Sequence, residues 1–293
     1  MTLKLGIIGG SGLYNFAELE NKKTLITKPG PFGKASGDIE YGKIDGVEIF
    51  FLPRHGKNHI YSPSNVPYRA NIDTLKRFGC NDIISVSAVG SLKEELSPGR
   101  FVLVDQFIDR TFLRKKTFFD KDIVAHVSLA EPTCKLTTKL VAKSALDSGI
   151  DIVSGGTYLA MEGPQFSSVA ESKLYKSWGC DVIGMTNMPE AKLAREAEIR
   201  YVAIAMITDY DCWRENTEHV QVDEIIKTLA NNADKARLLI KSFVREFKDN
   251  RPDIVDGIDN VLDTSIITSD YSKKDLIQSG LDGVASRIIN ASQ

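Results

Sequence analysis

Short apolar runs alternate with longer amphipathic stretches along this chain, and that alternation limits the fold more than any other feature. Leu5–Ile8, Val47–Leu52, Ile83–Val86, Phe101–Val104, Val182–Ile183 and Tyr201–Ile207 are short and rich in β-branched and aromatic residues, as buried strands are. Between them, Asn71–Phe78, Lys135–Ser148, Val169–Trp178 and Glu190–Ala197 carry apolar residues at helical spacing. A longer late stretch, Val222–Phe247, does the same, with Val222, Ile225, Ile226 and Leu229 on one face. Strand and helix in alternation predict an α/β protein on a mostly parallel sheet. The chain has 293 residues without an internal repeat or a low-complexity linker. The expected organisation is one domain over 1–250, ended by Asp249-Asn250-Arg251-Pro252, and a partly helical extension over 251–293.

Composition narrows the function. Net charge is −2 with a pI near 6.1, which lacks the basic excess of a nucleic-acid partner. No apolar run approaches the ~20 residues of a membrane span. Met1-Thr2-Leu3-Lys4-Leu5-Gly6-Ile7-Ile8 turns at once into glycines, too short for a secretory leader. Cys80, Cys134, Cys180 and Cys212 form no CxxC pair, so neither a zinc site nor a redox motif is expected. Cys80 and Cys180 each follow a glycine and precede a strand, as small core residues do. Together these features predict a cytoplasmic protein without a metal site.

The polar motifs cluster just past the predicted strands, where ligand sites of open α/β sheets lie. Gly9-Gly10-Ser11-Gly12 follows the first strand, and its backbone N–H groups can converge on an anion. A plain tight turn reads equally well. A dinucleotide fingerprint fails because Asn15 stands where the third glycine belongs, and no Gly-Lys-Ser/Thr follows to make a P-loop. Pro53-Arg54-His55-Gly56 follows the second: Arg54 offers a rigid fork for phosphate oxygens, and His55 can donate to the same anion or shuttle a proton. Ser85-Val86-Ser87-Ala88-Val89-Gly90-Ser91 closes the third with small residues and hydroxyls, suited to an anion, a ribose or simple packing. Phe166, after Glu162-Gly163-Pro164-Gln165, is either a stacking face for a planar ring or a core residue. Met185-Thr186-Asn187 follows another strand, where Met185 could pack on a sugar and Thr186 could donate to phosphate. Thr208-Asp209-Tyr210-Asp211-Cys212-Trp213 ends the last strand with two carboxylates at i and i+2, which point the same way in extended chain. Such a pair can accept from an amine and, with one pKa raised, protonate a ring nitrogen; a solvated acidic turn is the simpler alternative.

Taken in order, Ile7-Ile8-Gly9-Gly10-Ser11-Gly12-Leu13, Arg54-His55-Gly56, Asn71-Ile72, Gly90-Ser91-Leu92, Asp105-Gln106-Phe107-Ile108-Asp109-Arg110, Glu162-Gly163-Pro164-Gln165-Phe166 and Thr208-Asp209-Tyr210-Asp211-Cys212-Trp213 resemble the S-methyl-5′-thioadenosine phosphorylases, within the trimeric class of purine nucleoside phosphorylases. The resemblance covers about residues 4–247; the tail after Lys248 carries none. It implies a single α/β domain with a central mixed sheet flanked by helices. It also implies phosphorolysis, in which phosphate attacks ribose C1′ and adenine leaves, a reaction that needs no organic cofactor and takes inorganic phosphate as co-substrate. Ser11, Arg54, His55, Ser87, Ala88 and Thr186 match phosphate-binding positions, with serine at 11 and 87 where the family often has threonine. Met185 matches the residue under the ribose, Phe166 the base-stacking aromatic, and Asp209 and Asp211 the pair that reads adenine. Asp209 is then the candidate donor to N7, and Asp211 the acceptor for the 6-amino group. Val222, Ile225 and Ile226 match the face that receives the methylthio group, and His126 a position supplied by a neighbouring subunit of a homotrimer.

Three other readings compete. A phosphorylase of the same fold could prefer 6-oxopurines, against which Asp211 argues, because a carbonyl lone pair would face a carboxylate. A regulatory protein could keep the pocket and bind without turnover. A dehydrogenase is disfavoured by the missing third glycine.

Overall fold

The computed structural model describes residues 2–10, 13, 19–214 and 222–291, with residues 222–226 described by their backbone alone. Its centre is a mixed sheet of eleven strands. These are β1 (Lys4–Gly9), β2 (Glu20–Leu25), β3 (Ile39–Ile44), β4 (Val47–Pro53), β5 (Asp82–Ser91), β6 (Phe101–Val104), β7 (Gln106–Asp109), β8 (Ile152–Ser154), β9 (Thr157–Ala160), β10 (Val182–Gly184) and β11 (Arg200–Asp209). The helices are α1 (Tyr68–Arg77), α2 (Lys135–Asp147), α3 (Val169–Ser177), α4 (Asn187–Glu196), α5 (Val222–Asn250), α6 (Leu262–Ser265), α7 (Lys273–Gln278) and α8 (Ser286–Asn290).

All six expected strands and all five expected helices are present, with small shifts at their ends. The sheet is mixed, as the resemblance implies, and among the described residues six of its ten strand pairings are parallel, as the alternation predicts. The strands run in the order β2-β3-β4-β1-β5-β10-β9-β7, and β11 joins β5 to β6, which in turn pairs β8. β1 pairs β4 and β5 in parallel, and β11 pairs β5 in parallel, whereas β3–β4, β5–β10 and β6–β11 are antiparallel.

Burial explains why the central strands read as continuous apolar runs. Along β11, Tyr201, Ala203, Ala205 and Ile207 enter one core, while Val202, Ile204 and Met206 enter the other. A strand covered on both faces alternates sides at period two without ever turning polar. On the first face the core takes Ile72 and Leu75 of α1 and Ala191, Leu193 and Ala194 of α4. On the second it takes Val141 and Ala145 of α2 and Leu239, Ile240 and Phe243 of α5. Cys80 and Cys180 are fully buried, as core residues.

The segment beyond residue 250 packs into the first core through Val261, Leu262, Leu276, Leu281, Val284 and Ala285. Ion pairs pin it: Arg77 meets Asp282 at 2.6 and 2.8 Å, and Arg287 meets Glu198 at 2.6 and 2.8 Å. Among the described residues, no helix is long and apolar enough to cross a membrane, and no group of three or more His, Cys, Asp or Glu is placed to hold a metal ion.

Candidate active site

Strand ends build one cavity of about 330 Å3, within the usual size of a small-molecule site. Gly10 comes from the end of β1, Arg54 and His55 from the end of β4, Ser87, Ala88 and Gly90 from β5, Met161 from β9, Met185 and Thr186 from β10, and Asp209 and Asp211 from β11. Phe166 closes one wall and Leu229 of α5 another. Nine of the expected site residues therefore converge: Arg54, His55, Ser87, Ala88, Phe166, Met185, Thr186, Asp209 and Asp211. His126 is exposed and does not line this cavity; its backbone N–H donates to the Ser265 carbonyl. Ser11 and the side chains of Val222, Ile225 and Ile226 lie outside the described residues.

At one end the chemistry differs from the simple expectation. Arg54 is 1% exposed, and its fork is turned away from the cavity, onto Glu190 at 2.8 and 3.1 Å. Its Nη2 also donates to Ser85 Oγ (2.7 Å) and its Nη1 to the Val86 carbonyl (3.0 Å). Of its five N–H groups, the one left over among the described residues is on Nη1. Nη1 lies 3.8 Å from where a Cβ on Gly10 would stand, on the β1 side of the cavity. One N–H of Arg54 is thus left for a ligand among the described residues, because a cation this deeply buried must first satisfy an anion.

His55 is corrected in the same sense. Burial pushes its pKa down to about 4, although the Tyr61 carbonyl works the other way, so the ring is neutral near neutrality. Nδ1 lies 2.9 Å from that carbonyl, which only accepts, so Nδ1 carries the hydrogen. Nε2 is left as an acceptor rather than a donor. The His59 ring stacks on it with centroids 4.2 Å apart and planes 8° from parallel, which holds its orientation. Ser87 likewise spends its hydroxyl hydrogen on Asn187 Oδ1 at 2.8 Å. Thr186 stands at the start of α4 with its hydroxyl unused as a cap.

The opposite end carries the carboxylates. A bulge in the β11–β5 pairing falls between Ile207 and Asp209, and it re-aims Asp209 as the strand ends. Burial pushes the Asp209 pKa up to about 6, and the nearby Asp211 adds to the rise. A hydrogen bond from Thr208 Oγ1 (2.7 Å) opposes it. Asp211 is also raised by burial, held back by the nearby Ser172 and Ser167 hydroxyls. Its Oδ2 is buried without a partner in hydrogen-bonding geometry among the described residues. An orphaned buried acceptor is costly, and a ligand N–H relieves it. Gly90 makes room: a Cβ there would stand 3.1 Å from Asp209 Oδ2 and 3.4 Å from Asp211 Cβ. Phe166 is 62% exposed, so it is a wall open to a ligand and not a core residue. A neighbouring cleft shares Phe166, Asp209 and Asp211.

Several contributors were invisible in the motifs. Glu190 and Tyr201 read as ordinary members of a helix and a strand, although a tyrosine inside a buried strand needs a partner for its hydroxyl. Arg114 is buried and ties the walls together, donating to the carbonyls of Met188 (2.7 Å) and Glu162 (2.8 Å). Gly163, at φ 67°, admits the Met185 sulfur where any Cβ would collide with it.

Comparison with known proteins agrees with this geometry. The model of the phosphorylase superfamily matches residues 4–245. The chain belongs to the phosphorylase superfamily. Within that superfamily it is 52% identical to the S-methyl-5′-thioadenosine phosphorylase of Cereibacter sphaeroides, over 99% of both chains, so the likeness extends through the C-terminal tail. It superposes on a methylthioadenosine phosphorylase from an Antarctic soil metagenomic library with a TM-score of 0.89 and 42% identity, over 97% of this chain and 99% of that one. The methylthioadenosine phosphorylase of Schistosoma mansoni, solved with adenine, gives 0.83 and 35% over 90% and 99%. The mixed sheet with flanking helices is the superfamily fold.

Proposed function

We propose that this protein catalyses the phosphorolysis of S-methyl-5′-thioadenosine to adenine and 5-methylthioribose 1-phosphate, a pentosyl transfer that salvages the purine and the methylthio sugar. The observation that carries it is the two-ended cavity: an anion end at Arg54, Ser87, Ala88 and Thr186, and a carboxylate end at Asp209 and Asp211. Inorganic phosphate is the co-substrate, with Ser11 assigned beside it by resemblance.

The residues divide the work. The glycosidic bond breaks through an oxocarbenium-like state, and phosphate supplies both negative charge beside it and the attacking oxygen. His55 Nε2 takes the proton of a monobasic phosphate as the P–O–C1′ bond forms. Adenine leaves as its neutral form because Asp209, raised to about 6, delivers a proton to N7. Asp211 Oδ2 accepts from the 6-amino group, which excludes a 6-oxo carbonyl. Phe166 stacks on the base and Met185 lies under the ribose. Val222, Ile225 and Ile226 take the methylthio group.

The protein works as a homotrimer in the cytoplasm. Exposed His126 does not line its own chain's cavity and reaches a neighbour's; exposed Ile60, Phe112 and Leu113 supply apolar surface for that contact. Four free cysteines suit a reducing compartment.

The test measures phosphate-dependent base release from methylthioadenosine, adenosine, methylthioinosine and inosine in parallel. Adenine release fastest from methylthioadenosine is expected. Faster turnover of the inosine compounds overturns the base assignment, and no turnover of any overturns the enzyme reading.

A further inference from the structure

Behind the anion end lies a buried hydrogen-bond relay that does not line the cavity. Glu190 on α4 is 1% exposed and accepts from Arg54 twice, from Ser85 Oγ at 2.5 Å and from the Tyr201 hydroxyl at 2.8 Å. Tyr201 accepts in turn from Asn187 Nδ2 at 2.8 Å. Asn187 Oδ1 accepts from Ser87 at 2.8 Å. The direction of every bond follows from Glu190, because a carboxylate only accepts. Tyr201 must donate to it and is left to accept from the amide nitrogen of Asn187. That sets the amide so that its oxygen faces Ser87, and the Ser87 rotamer follows.

We propose that Glu190 is a positioning residue for the phosphate end: directly, it holds the Arg54 fork so that one Nη1–H is left for the ligand, and through Tyr201 and Asn187 it fixes the Ser87 hydroxyl with its hydrogen on Asn187 and its oxygen free to accept from a P–OH of monobasic phosphate. The two cavity residues come from β4 and β5, and Glu190 is 136 residues from Arg54 in sequence. One buried carboxylate therefore sets the geometry of two separate phosphate contacts. The arrangement is preformed, and a site whose contacts are held in advance loses less entropy on binding. The inference rests on the assignment of Arg54 and Ser87 to phosphate.

Steady-state kinetics with each substrate varied in turn provide the test, on folded protein verified by thermal melting. Arg54→Ala and Ser87→Ala first raise the phosphate KM; if neither does, the phosphate assignment itself falls, and this inference with it. Glu190→Gln keeps the shape and removes the charge that orders the relay. It is expected to raise the phosphate KM at least about tenfold while the nucleoside KM stays within about twofold. Tyr201→Phe leaves the Arg54–Glu190 pair intact but removes the hydroxyl that donates to Glu190 and accepts from Asn187, whose amide nitrogen keeps only its 3.4 Å bond to Ser85 Oγ, so a smaller rise of about threefold is expected, again confined to phosphate. Phosphate KM unchanged in Glu190→Gln and Tyr201→Phe, or both KM values raised equally, overturns the proposal while leaving the phosphate assignment standing. Should Glu190→Gln fail to fold because Arg54 is left unpaired, Tyr201→Phe decides alone: a selective rise supports the relay and no rise overturns it.

Discussion

The two ends of the cavity are built on opposite principles. At the proposed phosphate end almost every polar group is already satisfied: Arg54 by Glu190, Ser87 by Asn187, His55 by the Tyr61 carbonyl. At the base end the polar groups wait. Asp209 and Asp211 are both pushed up by burial, Asp211 Oδ2 has no partner among the described residues, and Phe166 stands open. The difference teaches where each kind of selectivity comes from. A small symmetric anion is chosen by a rigid cage whose strain has been settled in folding. A base is chosen by unsatisfied groups whose desolvation cost is recovered only by a ligand with matching donors.

Changes at the base end should therefore move nucleoside kinetics and spare the phosphate KM. The largest effect is expected from Asp209→Asn, which removes the proton donor and should lower kcat by about 10²- to 10⁴-fold. In the proposed mechanism the acid form of Asp209 is the active one, and its pKa is raised to about 6. Activity is thus present below that pKa and lost as pH rises through it, so kcat/KM should show a basic limb at or above about 6 that vanishes in Asp209→Asn. A limb that survives the substitution assigns the proton to another group. Next comes Asp211→Asn, which gives the orphaned position a donor and should shift the adenosine-to-inosine kcat/KM ratio toward inosine by about tenfold or more. An unchanged ratio would sink the account of base reading. The smallest is Phe166→Ala, which removes one stacking face worth about 0.5–1.5 kcal/mol and should raise the nucleoside KM roughly two- to tenfold. If the phosphate KM rises with it, the two ends are not independent.

Much of this was legible in the chain before folding. The strands that were recognised are the ones buried on both faces, such as β11, where apolar character is unbroken from Tyr201 to Ile207. Those that escaped lack that signature. β2 is mostly exposed and polar, β3 interleaves Glu40 and Lys43 among its buried positions, β7 and β8 contain no buried residue, and β9 opens on a half-buried Thr157. The carboxylate pair, the Arg-His pair and the small-residue loop could be placed past strand ends because that placement needs only local pattern. The role of Glu190 could not, since it depends on a partner in a different strand.

The sequence by itself determined the alternation of strand and helix, the loops that carry polar groups, and the family to which those loops belong. Only the tertiary structure decided what each polar group is free to do. It turned the Arg54 fork onto Glu190, stripped the proton from His55, and raised Asp209 by burying it beside Asp211. The physical reason is that hydrogen-bond direction and desolvation are set by neighbours brought together from distant parts of the chain, whereas strand and helix patterns are set by neighbours along it.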